Sequence, residues 1–364
     1  MKTRAAISKG DGNFFIDEIE VLEPSADEVM VQLKAAGICH TDWDSLSWEE
    51  SLILGHEGAG VIISIGTNVT HVQPGDKVLL NWAIPCGDCY QCKEGNTCIC
   101  EKYSISAEGK KGQTDKTYWN GKMINRSFSL GTMSGYTVVR KEAVTKIEVE
   151  ISYASAAIVG CGVMTGYGSA INAAEVKRDS NVAVIGCGGV GLNVIQGAKI
   201  AGASKIIAID LKSQRLEMAL KFGATHILQS TPDDTELSLV KEKVFALTEN
   251  RGADYAFEST GNPALGAAPL LLTRHAGKAI QVSGVEQELT IDMTLFEWDK
   301  LYLNPLYGKC NPDRDFPKIF DHYKKGELLL DELVSKTYTL EQLKQAFDDM
   351  LEGRIAKGVI LLNQ

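Results

Sequence analysis

Four cysteines in the first third of the chain are spaced closely enough to hold one metal ion. They follow the pattern C-x2-C-x2-C-x7-C, and they are Cys86, Cys89, Cys92 and Cys100. Four thiolates complete the tetrahedral shell of Zn²⁺, so the pattern predicts a closed structural zinc site with no position left for a substrate. The alternative is a chance cluster of buried or disulfide-bonded cysteines.

A second set of metal-binding side chains is spread along the chain. Cys39 lies in GICHTD, His56 in GHEG and Cys161 in CGVMTG. One imidazole and two thiolates give three ligands and leave a fourth position for water or a substrate oxygen, which is the arrangement of a catalytic zinc. Zinc there would act as a Lewis acid on a bound alcohol. Each residue taken alone also fits an ordinary place in a protein core.

Three neighbours of these ligands could take part in the same chemistry. Glu57 would sit behind the metal or transiently replace water on it. Asp42 would accept a hydrogen bond from the free imidazole N–H of His56, or it would cap a helix instead. Thr41 carries a hydroxyl that is suited to accept the substrate proton and pass it on.

A glycine-rich turn predicts a dinucleotide site. The sequence between Gly186 and Gly191 matches G-x-G-x-x-G, follows the strand candidate NVAVIG and opens a helix. Gly186, Gly188, Gly189 and Gly191 would let the backbone approach a pyrophosphate, whose charge the helix N-terminus attracts. Asp210 ends the next strand candidate, where a carboxylate would bind the ribose hydroxyls of NAD and repel the extra phosphate of NADP. Otherwise Asp210 is a solvated turn residue.

The elements that must position these residues change in character along the chain. Residues 1 to about 160 consist of short apolar runs broken by Gly and Pro, which predicts a mainly β half. From Asn181, apolar strands such as SKIIAID, ADYAFEST, GKAIQVSG and LYLNPLYG alternate with helical stretches, which predicts a doubly wound parallel sheet. YTLEQLKQAFDDMLEG is typical of an amphipathic helix, and KGVILLN of a closing strand. The predicted fold class is therefore α/β.

Length and charge limit the alternatives. A chain of 364 residues favours two domains. The formal net charge is −10, from 37 Lys plus Arg against 47 Asp plus Glu, and it argues against a nucleic-acid partner. The sequence contains neither a secretory signal run nor an apolar stretch of about 18 residues, so we expect a cytoplasmic protein with no membrane partner.

Several motifs together resemble the zinc-dependent medium-chain alcohol dehydrogenases along essentially the whole chain, and the animal and plant forms in particular. They are GICHTD, GHEGAGVI, CGDCYQC, CGVMTGYGSAI, VIGCGGVGLNVI and YAFESTGN. The resemblance implies a β-rich GroES-like catalytic domain over residues 1–163 and 307–364, a Rossmann NAD-binding domain over residues 164–306, and a homodimer. Because Cys2His is the catalytic zinc set of alcohol dehydrogenase, the assignment of that site is not independent of the resemblance.

The resemblance also implies individual cofactor contacts. His40 and Lys357 would contact the pyrophosphate, and Thr165 and Val190 would lie beside the nicotinamide. Arg215 would be a further contact of the cofactor.

The sequence departs from this family at positions that bear on the substrate. Asp44 stands where many relatives have a histidine that completes a proton relay, so it either shuttles protons itself or is merely an exposed carboxylate. The segment 43–53 is shorter than in the longer members of the family. Residues 100–104 lack the arginine that glutathione-dependent formaldehyde dehydrogenases carry there, which argues against that activity. Trp82 and Met133 either line the substrate pocket or belong to the core.

We therefore predict a zinc-dependent oxidoreductase with one catalytic and one structural Zn²⁺ per chain and with NAD as cofactor. Its substrate would be a hydrophobic primary alcohol, aromatic ones included, or a secondary alcohol, interconverted with the aldehyde or ketone. One alternative is a reductase of aldehydes or of conjugated, iminium-like compounds in specialised metabolism. The other is a catalytically silent relative stabilised by zinc.

Overall fold

The structure, a computed structural model, describes residues 1–105, 107, 112–234, 237–285 and 287–362. Contacts between Cα atoms divide the chain into two compact units. The first unit combines Met1–Cys161 with Asn311–Gln364, and the second is the continuous stretch Gly162–Cys310.

The strands of the described residues are numbered in chain order. They are β1 Lys2–Ser8, β2 Phe14–Val21, β3 Glu28–Gly37, β4 Leu52–Ile53, β5 Glu57–Ile65, β6 Lys77–Leu80, β7 Thr117–Trp119, β8 Lys122–Met123, β9 Asn125–Arg126, β10 Tyr136–Arg140, β11 Val144–Lys146, β12 Asn181–Ile185, β13 Lys205–Asp210, β14 His226–Gln229, β15 Ala253–Glu258, β16 Thr273–Gln281, β17 Leu301–Leu303, β18 Val334–Tyr338 and β19 Lys357–Leu361.

The α-helices are numbered in the same way. They are α1 His40–Asp44, α2 Tyr90–Lys93, α3 Tyr153–Ala157, α4 Gly162–Gly168, α5 Gly189–Ile200, α6 Ser213–Phe222, α7 Ser238–Leu247, α8 Ala268–Leu272, α9 Pro312–Lys324 and α10 Leu343–Leu351.

The first unit is built on two sheets. One has the order β8-β7-β2-β1-β4-β9, and the other has the order β11-β6-β5-β3-β19-β18, with β10 also paired to β3. The closing strand β19 runs antiparallel to β3, with Val359 opposite Gly37. β3 also pairs with β5. The strand before Cys39 therefore lies between β19 and the strand that follows His56.

The second unit contains a parallel sheet in the order β14-β13-β12-β15-β16-β17. Its two halves grow outward from β12 and β15, so the strand order reverses between these two strands. In open α/β sheets, ligands bind outside the carboxyl ends of the strands at that reversal. The glycine turn after β12 and the loop after β15 therefore flank the expected ligand position.

Each unit has its own apolar core. In the first unit Ile7, Ile19, Met30 and Val138 are buried between strands. In the second, the buried face of the parallel sheet packs against α7 and α8, and its residues include Ile207, Ile209, Val240, Val244 and Leu272. Full burial of each large aliphatic side chain stabilises the fold by about 1.5–3 kcal/mol.

The α/β class and the alternation of strands and helices after Asn181 are confirmed. The predicted strand LYLNPLYG is wrong beyond Leu303. Pro305 cannot donate a hydrogen bond to a ladder, and the chain turns at Tyr307 and Gly308, whose φ angles are +53° and +60°. The only segment of the described residues that passes a membrane-span test by length and apolar content is a bent pair of helices over Tyr153–Gly160 and Gly162–Ala173; no single helix does.

Candidate active site

The four-cysteine loop converges on one point. The Sγ atoms of Cys86, Cys89, Cys92 and Cys100 all lie within 4.8 Å of one another. Gly87 allows the tight turn that this requires, since its φ of +71° favours glycine. Burial opposes ionisation of Cys86, but hydrogen bonds from the amides of Asp88 and Cys89 lower its pKa to about 7. Four sulfurs with amide donors at this separation fit a tetrahedral Zn²⁺.

The second cluster brings together residues from distant parts of the first unit. One potential ligand atom from each of Cys39, His56, Glu57 and Cys161 lies within 4.8 Å of the others. Cys39 follows β3 and precedes α1, His56 precedes β5, and Cys161 ends the first stretch of this unit. Hydrogen bonding between the two thiols lowers the pKa of Cys39 and raises that of Cys161, so the cluster already favours one thiolate.

Asp42 combines the two roles that the sequence left open. Its Oδ1 lies 2.8 Å from His56 Nδ1, and its Oδ2 accepts a hydrogen bond of 3.0 Å from the backbone N–H of Cys39 at the start of α1. Burial disfavours the imidazolium, but Asp42 and Cys39 together, through charge attraction and hydrogen bonding, raise the pKa of His56. With Nδ1 held by Asp42, Nε2 is the nitrogen available to a metal.

Glu57 and Lys357 form a buried ion pair beside this cluster. Lys357 Nζ donates to Glu57 Oε1 at 2.7 Å and to the carbonyl of Ile38 at 2.8 Å. Burial raises the pKa of Glu57 to about 7. Gly37 makes room for the carboxylate, because a Cβ at position 37 would lie 2.0 Å from Glu57 Oε2. The pyrophosphate contact predicted for Lys357 stays a prediction, since its ammonium points toward Glu57.

The residues of α1 differ in their exposure. Thr41 Oγ1 lies 3.8 Å from Cys39 Sγ and is half-buried, so its hydroxyl is next to the cluster. His40 and Asp44 are exposed. For Asp44 this favours the interpretation as a solvent-facing carboxylate.

An aromatic wall covers one side of His56. The Phe128 ring lies 4.7 Å from the imidazole, between centroids, and its plane is tilted by 32°. The ring of Trp82 meets Phe128 edge-on at 5.2 Å, and the ring of Trp48 lies 6.0 Å from that of Phe128, tilted by 44°. Phe128 has a φ of +51°, which is uncommon for a residue other than glycine and marks a position held by its surroundings.

Sequence reasoning identified Trp82 but missed Phe128 and Trp48, because no spacing in the chain connects them to His56. The signal that was available is the aromatic content of SWEE and RSFS within an otherwise polar context. Met133 is fully buried and packs beneath Gly55, where a Cβ would lie 2.8 Å from its Cγ. Its core alternative is therefore favoured, and its role in the pocket stays a prediction.

The glycine turn has the geometry of a phosphate-binding turn. Gly186 has a φ of +89°, and a Cβ at Gly191 would lie only 1.9 Å from the Gly186 carbonyl oxygen. A Cβ at Gly188 would meet no atom within 4 Å, so this side of the turn is open for a ligand. Gly189 begins α5, and the close approach of α4 places a Cβ at Gly166 2.3 Å from the Val190 carbonyl oxygen. Thr165 lies in α4.

Asp210 is fixed rather than solvated. Its side chain is largely buried, Oδ2 accepts a hydrogen bond of 2.8 Å from the Cys187 N–H, and Oδ1 accepts one of 2.9 Å from the Lys212 N–H. Arg215 Nη1 lies 3.8 Å from Oδ2. The carboxylate is thus held beside the glycine turn, at the end of β13.

Comparisons with known proteins agree with this geometry. Residues 25–149 match the alcohol dehydrogenase GroES-like domain, and residues 189–309 match the zinc-binding dehydrogenase family. Alcohol dehydrogenase B of Mycobacterium tuberculosis is 32% identical, with 99% of this chain and 98% of the relative covered. Class-3 alcohol dehydrogenase of Cereibacter sphaeroides is 34% identical, with 99% and 100% covered. The chain belongs to the zinc-dependent medium-chain alcohol dehydrogenases.

Solved structures of other members of this dehydrogenase family have the same fold. A zinc-binding alcohol dehydrogenase domain protein from Burkholderia ambifaria has a TM-score of 0.90 and 29% identity, with all of both chains covered. Benzyl alcohol dehydrogenase from Acinetobacter calcoaceticus has a TM-score of 0.89 and 29% identity, again over both whole chains. The GroES-like and Rossmann-type folds predicted for this dehydrogenase are confirmed, and its family supports zinc and NAD as cofactors.

Asp42→Asn is expected to lower the zinc affinity of the Cys39, His56 and Cys161 site in this dehydrogenase by about 10- to 100-fold, because Asp42 orients His56. Zinc loss to a competing chelator and kcat/KM for an alcohol would measure this. Glu49→Gln, at an exposed position nearby, is the matched control. Unchanged zinc retention and unchanged kcat/KM in Asp42→Asn would remove Asp42 from the support of the site.

Proposed function

We propose that this chain is an NAD-dependent dehydrogenase that interconverts hydrophobic alcohols, aromatic primary alcohols in particular, with their aldehydes. The observation that carries the proposal is the juxtaposition of Cys39, His56 and Cys161 with the aromatic wall at Phe128. Two thiolates and one imidazole would hold a catalytic Zn²⁺. When bound, the ion would act as a Lewis acid and lower the pKa of the substrate alcohol.

The residues around the ligands take the remaining tasks. The Thr41 hydroxyl, next to Cys39, accepts the proton of the alcohol and passes it toward solvent. Asp42 holds the His56 ring in one tautomer. Glu57 stays behind the cluster, paired with Lys357.

The aromatic wall supports a preference for flat, apolar substrates. Phe128, Trp82 and Trp48 form a cluster of rings beside His56. A substrate ring bound against this cluster would gain about 0.5–1.5 kcal/mol per aromatic pair beyond area burial. A solved structure with the same fold is a benzyl alcohol dehydrogenase, which agrees with this substrate class.

The second unit supports NAD as the cofactor. The open side of the glycine turn at Gly188 would take the pyrophosphate, and Asp210 would accept hydrogen bonds from the ribose. We assign His40 and Lys357 to the pyrophosphate and Arg215 to the adenosine end. Thr165 and Val190 are assigned to the nicotinamide. A homodimer in the cytoplasm completes the proposal.

The experiment that tests this function is a steady-state panel in both directions, with NAD(H) and NADP(H) in parallel. Benzyl alcohol, cyclohexylmethanol and ethanol separate aromatic character from size. We expect kcat/KM for benzyl alcohol with NAD to exceed that for ethanol by about 100-fold, on the basis of several kcal/mol of ring burial. A preference for NADPH, or reduction of aldehydes with no detectable alcohol oxidation, would favour the reductase alternative.

Thr41→Val is expected to lower kcat by about 10²–10⁴-fold while zinc content stays at two ions per chain, because the substitution removes only the relay hydroxyl. Metal analysis and kcat with benzyl alcohol would show this. Thr41→Ser keeps the hydroxyl and is the matched control. Turnover in Thr41→Val equal to that of the unmodified chain would exclude Thr41 from the proton path.

A further inference from the structure

Glu258 is a fully buried carboxylate at the carboxyl end of β15. Its Oε1 accepts hydrogen bonds from the N–H and the hydroxyl of Thr260, the former at 2.5 Å. Its Oε2 accepts from Gln281 Nε2 at 2.7 Å and from Ser283 Oγ at 2.5 Å. No ion pair joins Glu258 to a Lys, Arg or His among the described residues, so neutral donors alone compensate this carboxylate.

These donors come from the end of one strand and from the loops after two adjacent strands. Thr260 follows β15, whereas Gln281 ends β16 and Ser283 follows it. Ser283 Oγ also accepts a hydrogen bond of 3.0 Å from the Gly261 N–H. The Glu258 carboxylate therefore fixes residues 259–261 relative to residue 283.

The loop that Glu258 fixes packs on the first glycine of the dinucleotide turn. Ser259 Oγ donates to the Gly186 carbonyl oxygen at 2.8 Å. A Cβ at Gly186 would lie 2.7 Å from Thr260 Cγ2, and a Cβ at Gly191 would lie 2.7 Å from Ser259 Oγ. A displacement of residues 259–261 would therefore also move or loosen the glycine turn.

The topology of the sheet indicates which half of a dinucleotide this loop faces. Asp210 ends β13, which neighbours β12 on one side, and Glu258 ends β15 on the other side. A dinucleotide that lies across the reversal of strand order with its adenosine ribose at Asp210 extends its nicotinamide half toward the loops after β15 and β16.

We infer that Glu258 is a positioning residue for the nicotinamide half of the cofactor. It acts through the loop 259–261, which its carboxylate links to Ser283 and which packs on Gly186. This inference depends on dinucleotide binding at the glycine turn, which belongs to the proposed function. It adds a residue whose side chain is buried and need not touch the cofactor.

Glu258→Gln tests this inference with little change of volume. The amide NH2 replaces one acceptor oxygen, so it faces a donor from Thr260 or from the Gln281 and Ser283 pair, and the loop loses its fixed position. We expect the Kd for NADH to rise about tenfold or more, since a charged acceptor of several hydrogen bonds is lost. The Kd for ADP-ribose, which lacks the nicotinamide, should rise by a clearly smaller factor, about threefold at most, because ADP-ribose keeps its adenosine contacts at Asp210 and is affected only through the glycine turn.

The measurements are NADH fluorescence titration and calorimetric titration of ADP-ribose on the full-length protein. Glu249→Gln is the matched control, since Glu249 lies in the same unit with 74% of its side chain exposed. Ser283→Ala and Thr260→Val each remove one donor to Glu258 and should shift NADH binding in the same direction by a smaller factor. They carry the test if Glu258→Gln does not fold.

Equal weakening of NADH and ADP-ribose binding would indicate a general structural role and overturn the inference. Unchanged NADH binding in all three variants would overturn it as well. If the unmodified chain binds neither ligand, the proposed dinucleotide function fails. If it binds both and the variants match it, only the role of Glu258 fails.

Discussion

Cys161→Ala is expected to remove one of two zinc ions per chain and to lower alcohol oxidation by more than about 10³-fold. Cys161 contributes one of the two thiolates of the Cys39, His56 and Cys161 cluster, and alanine has no donor atom to replace it. The two remaining ligands, Cys39 and His56, cannot close a stable site, and the Cys39 thiolate would lose the cation that compensates its charge.

Metal analysis and turnover with benzyl alcohol measure this effect. Cys310→Ala is the matched control, because Cys310 is buried and belongs to neither metal cluster. We expect the control to keep two zinc ions and full turnover. A Cys161→Ala protein with two zinc ions, or with turnover close to that of the control, would contradict the assignment of the catalytic site.

Cys100→Ala is expected to lower the free energy of unfolding of the first unit by more than about 3 kcal/mol, because loss of a structural metal also loses its contribution to folding. Cys100 is fully buried and its Sγ accepts a hydrogen bond from the Lys102 N–H at 3.4 Å. Without the metal, Cys86, Cys89 and Cys92 lose the ion that would organise the loop.

Denaturant unfolding and zinc content distinguish this variant from Cys161→Ala. In Cys100→Ala the main effect is a lower free energy of unfolding, whereas Cys39, His56 and Cys161 stay in place in the folded fraction. Cys98→Ala is the control inside the same loop, with an expected cost of about 1 kcal/mol for a small buried side chain. Equal stability of the Cys100→Ala and Cys98→Ala proteins would argue against a metal at this loop.

Local spacing predicted those parts of the site that depend on a short stretch of chain. The four-cysteine loop and the glycine turn are each contained in fewer than twenty residues, so their residue types define their geometry. Asp210 was predictable for a related reason, since it stands at a fixed interval in a strand-helix-strand unit. The fold class followed from the change in apolar periodicity at Asn181.

Residues that act through tertiary contacts were harder to predict. Phe128 contacts His56 from a turn in which its own φ is positive, and sequence periodicity carries no information on that turn. The sequence offered two roles for Asp42 as alternatives, yet its two oxygens allow both at once. Glu258 has no motif that identifies it, because its four donors come from the end of one strand and from the loops after two strands.

The ion pair between Glu57 and Lys357 joins an early strand to the last strand of the chain. During synthesis the ribosome makes residue 57 long before residue 357. The nascent first unit therefore contains β3 and β5 before β19, the strand that pairs with β3, has been made. A buried carboxylate without its partner is unfavourable by several kcal/mol, which disfavours early closure around Glu57. The continuous second unit has all its strands available sooner, so translation order favours folding of the second unit before the first unit, which needs β19, is complete.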